Sequence, residues 1–156
     1  MGLETTLSLT SQTIEALREL ARINVDSAEG FRSAADDVDD LQIKKLFLNL
    51  ANEREHQSRE LQKYLQANHV KPAEEGSLAA ALHRAWMSIR TSLSSDDKHA
   101  ALAEAEWGEE QIKTKYEEIL KETAGSAVND VLLHQYAKVK TAHHAVRDMR
   151  DSHAPS

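Results

Sequence analysis

Cysteine is absent from this chain, which excludes disulfide stapling, thiolate metal sites and a cysteine nucleophile. Glycine and proline are scarce, five and two among 156 residues, so few positions can break a long helix. No window approaches the roughly 18 consecutive apolar residues of a membrane span. The opening Met1-Gly2-Leu3-Glu4-Thr5-Thr6 lacks the basic stretch and apolar run of a secretory signal, so a cytoplasmic, membrane-free protein is expected. The formal net charge of −7 repels a phosphate backbone, and Lys and Arg are interspersed with acids instead of forming a patch. Nucleic acid is not an expected partner. There is also no Gly-rich phosphate loop, no Ser/His/Asp spacing and no basic-aromatic stripe.

What remains is rich in Ala, Leu, Glu, Lys and Arg, with 40% hydrophobic and 29% charged residues. That composition fits long helices and one buried core, so residues 1–156 are expected to form a single all-α domain. Apolar residues at Ile14, Leu17, Leu20, Ala21, Ala28, Phe31, Ala35 and Val38 recur at three- and four-residue steps and predict a helix over about 8–38. Asp39 or Asp40 caps a second, over about 40–69, whose inward face carries Phe47, Leu50, Ala51, Leu61, Tyr64 and Leu65. Ser77 caps a shorter amphipathic helix over 77–93. A fourth follows over 97–123 with Ala101, Leu102, Ala105, Ile112, Tyr116 and Ile119 inward. The last, over 127–150, follows Gly125-Ser126 and carries Leu132, Tyr136, Val139 and Val146. Two hairpins joined by a long connection predict a four-helix bundle with a crossover helix between the second and third long helices.

These segments resemble the ferritin-like superfamily, and within it bacterial four-helix-bundle proteins classed as a domain of unknown function. The resemblance is carried by Asn24-Val25-Asp26-Ser27-Ala28-Glu29-Gly30-Phe31, by Leu46-Phe47 through Ala51-Asn52-Glu53-Arg54, and by Ser77-Leu78 through Leu82-His83-Arg84-Ala85-Trp86-Met87. Glu106-Trp107-Gly108-Glu109 through Tyr116-Glu117-Glu118 and Val139-Lys140-Thr141-Ala142-His143 complete it. Di-metal members of the superfamily take a glutamate from each of two helices and Glu-x-x-His from each of the other two. The pattern places the first glutamate seven residues before an inward aromatic, where this chain has Asn24. Counting from Ala51 puts Arg54 and Gln57 at the second pair. Glu109 lies seven before Tyr116, with Glu106 one turn earlier, and the final pair becomes Lys140 and His143.

The resemblance therefore implies a degenerate di-metal site: a buried polar cluster of Asn24, Arg54, Gln57, Glu109, Lys140 and His143, held by an Arg54–Glu109 ion pair, with no cofactor and no catalytic residue. Arginine does not lose its proton and has no lone pair to donate. The expected role is that of a non-catalytic, stress-associated or interaction protein. The alternative is a di-iron or di-manganese carboxylate protein, iron-binding or oxidoreductase. Its metal would sit on Glu106, Glu109 and His143, or else on Glu29, Glu53 and His56. Helical rotation disfavours the second set: Glu53 falls about 100° and His56 about 160° from the apolar face, and Glu29 more than about 100° from its own. The scattered His69, His99, His134, His144 and His153 are read as surface residues, and Trp86 as a packing anchor. The long amphipathic helices also suggest a homo-oligomer formed through helix faces.

Overall fold

Thr10, two residues beyond the expected boundary, starts the first helix, its side-chain oxygen accepting from the Thr13 N–H at 3.2 Å. The computed structural model describes residues 4–74 and 78–153. Among these are five α-helices and no strand: α1 Ser11–Asp37, α2 Leu41–Ala67, α3 Ala79–Ser94, α4 Lys98–Glu122 and α5 Asn129–Ser152. Asp40 caps α2 by accepting from Gln42 N and Ile43 N, and Asp97 caps α4 by accepting from Ala100 N. The expected cap of α3, Ser77, lies outside the described residues. Gly125, at φ +78°, supplies the left-handed conformation that lets the chain turn between α4 and α5.

The segment before α1 is fastened at two points. Glu4 accepts from Thr10 N and from Ala127 N, both at 2.8 Å. Asn68 accepts from Leu9 N and donates to the carbonyls of Thr6 and Tyr64.

Directions follow from two apolar clusters. One gathers Leu17 and Leu20 of α1, Leu61 and Leu65 of α2, Leu82 of α3, Tyr116 and Ile119 of α4, and Leu132 of α5. The other gathers Phe31 and Ala35, Phe47 and Leu50, Ile89 and Leu93, Leu102 and Ala105, and Ala142 and Val146 from the same five helices. Helices α1 and α5 thus run from the first cluster to the second, and α2 and α4 run back. Helix α3 returns the chain from the end of α2 to the start of α4, packed against α4 and α1. All-α architecture is therefore observed, with four helices of 24–27 residues and one of 16.

Trp86 seats α3 on α1. A Cβ on Gly30 would stand 2.1 Å from Trp86 Cε2, so only glycine admits the indole. The ring then meets Phe31 edge-on at 4.7 Å between centroids, and Phe31 meets Phe47 at 5.4 Å.

Candidate functional site: a polar layer across the core

Between the two apolar clusters the core turns polar. Arg54, 0% exposed, donates from Nη2 to Glu109 Oε2 at 2.5 Å and from Nη1 to Ser27 Oγ at 3.1 Å. One helical turn away, Asn24 donates from Nδ2 to Leu20 O and to the Tyr116 hydroxyl at 2.9 Å. Tyr116 in turn donates to Gln135 Oε1 at 2.8 Å. The Gln135 amide then donates to Gln57 O at 3.2 Å and to Glu60 Oε1 at 2.8 Å. Every long helix contributes: Asn24 and Ser27 from α1, Arg54, Gln57 and Glu60 from α2, Glu109 and Tyr116 from α4, Gln135 from α5. Nearby, Ser58 of α2 donates to Ala21 O of α1 at 3.1 Å.

Burial works against the charge on Arg54, but the adjacent Glu109 carboxylate outweighs it and holds the guanidinium above its ordinary value. The same burial pushes the Tyr116 hydroxyl up to about 12, so it serves as a neutral donor and acceptor. On the flank of the layer, Glu53 is partly buried and its carboxyl is raised by desolvation, with Arg54 and Lys138 opposing.

Of the residues singled out in the sequence, Asn24, Arg54, Gln57 and Glu109 are buried at 0–1% exposure in this layer. Lys140 is corrected: it is exposed, and its Nζ stands 4.8 Å above the Tyr136 ring. His143 is also outside the layer, partly buried, with Nε2 3.0 Å from Glu110 Oε2 and 3.6 Å from Glu106 Oε1. The physical reason is the rotation of α5. Its buried face is Leu132, Gln135, Val139, Ala142 and Val146, which leaves Lys140 about 120° and His143 about 60° from the centre of that face. Tyr136, expected inward, sits at the edge and donates to Glu117 at 2.5 Å.

The candidate metal ligands are likewise separated. Glu106 pairs with Arg150 as well as approaching His143, while Glu109 faces Arg54, so Glu106, Glu109 and His143 do not converge. Glu29 and His56 are exposed, and Glu53 is partly buried. Among the described residues no group of three or more His, Asp or Glu side chains is placed to hold a metal ion. No helix among them is long and apolar enough to cross a membrane.

Ser27, Ser58, Glu60 and Gln135 were missed by sequence reasoning. Gln135 carried a usable signal, because 132, 135, 139, 142 and 146 form an alternating three-four series. Ser27 lies three residues after Asn24 and so shares its helix face.

No curated protein matches this chain. A family described as a domain of unknown function, DUF2383, matches residues 12–122, the span from the start of α1 to the end of α4. Because that match covers well over half of the sequence, the chain belongs to the DUF2383 family.

Proposed function

We propose that this chain is a non-catalytic helical bundle of the ferritin-like kind, with α3 as its crossover, in which an ion-paired polar layer stands where related bundles hold two metals. The single observation that carries this reading is the Arg54–Glu109 pair, buried at 0% and 1% exposure at the level where all four long helices contribute polar side chains. A guanidinium offers only donors and a fixed positive charge. It serves as counterion to Glu109 and repels a dinuclear cation centre from the same space. The donor set does not fit iron or manganese: Asn24 and Gln57 are amides, Glu109 is engaged by Arg54, and the His143 imidazole faces Glu106 and Glu110.

In this reading the layer works as a registration device. Buried polar groups tolerate few alternative helix alignments, since a shift of one turn would strand Arg54 without Glu109 and Tyr116 without Gln135. The bundle then acts as a rigid scaffold whose contacts with other molecules are made on its outer faces.

Elemental analysis of untagged protein from cells supplemented with iron and manganese tests the proposal. Protein free of both metals is the expected result. Stoichiometric iron or manganese would overturn it in favour of a metal-dependent oxidoreductase or iron-binding protein.

A further inference from the structure

Five polar atoms of the central layer have no hydrogen-bond partner among the described residues: Asn24 Oδ1, Arg54 Nε, Gln57 Oε1, Gln57 Nε2 and Glu109 Oε1. All four residues are 0–1% exposed. Roughly nine in ten buried polar groups find a hydrogen-bond partner, so five such atoms gathered in one layer call for a shared one. The rest of the layer shows that the site is ordered. Asn24 Nδ2, both Arg54 terminal nitrogens and Glu109 Oε2 are already engaged, which fixes the direction in which the remaining atoms face.

The chemistry of those atoms selects the guest. Arg54 Nε and Gln57 Nε2 donate, while Asn24 Oδ1, Gln57 Oε1 and Glu109 Oε1 accept. A metal cation would serve the acceptors alone and meet the Arg54 charge. An anion would serve the donors alone and meet the Glu109 carboxylate. The two formal charges cancel across the 2.5 Å ion pair, so a neutral molecule that both donates and accepts is required. Size narrows it further. On the α3 side of Glu109 the void lined by Leu82, Trp86, Ile89 and Gly108, which Asn24, Arg54 and Gln57 do not reach, measures only about 10 Å³, on the scale of a single water.

We infer that the central layer is a binding site for water, held as a structural ligand between Gln57, Asn24 and the Arg54–Glu109 pair. Bound water completes the hydrogen bonding that the side chains leave open and links the Gln57 amide to the ion pair. The layer is then one connected network instead of two separate tiers.

The test is a water cross-relaxation measurement on the parent protein, observing the Gln57 side-chain amide protons, combined with a Gln57→Leu variant. The expected result is a negative nuclear Overhauser effect between water and the Gln57 amide protons, reporting residence longer than molecular tumbling. Gln57→Leu should lower the melting temperature, because the apolar side chain removes the water's anchor and leaves Glu109 Oε1 and Asn24 Oδ1 unserved. Absence of the cross-peaks in the parent would overturn the inference, and so would a melting temperature raised by Gln57→Leu, the signature of relieving a dry, unpaired amide. Should the variant fail to fold, the parent spectrum decides alone.

Discussion

Removing Glu109 should cost far more than removing Glu109 and Arg54 together. In the parent, Arg54 is fully buried, and its only hydrogen-bond partners among the described residues are Glu109 at 2.5 Å and Ser27 at 3.1 Å. Glu109→Leu leaves a guanidinium that cannot lose its proton in an apolar interior, a situation that costs about 3–5 kcal/mol. For a chain of this length, about 1 kcal/mol corresponds to roughly 2–4 °C, so the melting temperature should fall by about 6–20 °C. Arg54→Met is expected to be milder. The carboxylate it strands can escape by taking up a proton, and the deficit should shrink as the pH is lowered from 7 to 5. The Arg54→Met, Glu109→Leu double variant replaces the pair with apolar side chains of similar volume and should lie within about 2 kcal/mol of the parent. Urea unfolding followed by circular dichroism at pH 7 gives all four stabilities and their coupling energy. A double variant as unstable as the sum of the singles would refute the view that the two charges form one buried unit.

Gly30→Ala normally gains helix stability, by about 1 kcal/mol at an exposed interior position. Here its methyl would displace the Trp86 indole, so the melting temperature should fall. In a Trp107→Phe background the emission should also shift to the red as Trp86 leaves its seat. Glu53 has a carboxyl raised above the ordinary 4.5 by burial, so its charged form is disfavoured by folding, and it contributes stability below that value that is lost as pH rises. Glu53→Gln should therefore stabilise the protein at pH 7 and leave it unchanged at pH 4, as scanning calorimetry would show. Asp40→Ala should cost about 1 kcal/mol through loss of the α2 cap. The Ile43 N–H holds the Asp40 carboxyl below its ordinary 3.8. The cap therefore contributes fully above that value and is lost as pH falls through the lowered one, and the cost of the substitution should fade with it.

The helices were legible because apolar spacing and caps act locally. Leu17, Leu20, Phe31 and Ala35 lie on one stripe whatever their partner, and Asp40 and Asp97 announce helix starts by chemistry that needs no tertiary contact. The inward positions of Arg54 and Gln57 were reached from resemblance, which overrode the ordinary rule that such residues stay outside. The α5 register was lost because Tyr136 and Gln135 compete for one place. Hydrophobicity favours the tyrosine, yet the glutamine wins, because Tyr116 needs an acceptor and the Gln57 carbonyl and Glu60 need a donor. That demand comes from α2 and α4, some 75 and 19 residues away in sequence, and within α5 only the three-four series through 132, 135, 139, 142 and 146 points to it. One residue of error in the face then carried Lys140 and His143 inward with it.

The exposed position of Lys140 leaves Arg54 as the one cation among the described residues of the central layer, which separates two ideas of how the layer relates to a metal centre. If a single charge were all that excluded metal, Arg54→Glu would create a cation site at once. The structure argues otherwise. Such a variant places a second carboxylate against Glu109, but the neighbours remain the amides Asn24, Gln57 and Gln135, and His143 stays near Glu106 and Glu110 on the other side of α5's buried face. Two carboxylates without imidazoles make a weak set for iron or manganese, and at close range one of them must hold a proton. Arg54→Glu is therefore expected to be metal-free at pH 7, strongly destabilised, and partly rescued as the pH falls toward 5, whereas Lys140→Glu changes little. Stoichiometric metal in Arg54→Glu protein, with stability restored by its addition, would show that charge alone closed the site and that the geometry of α5 is not the obstacle.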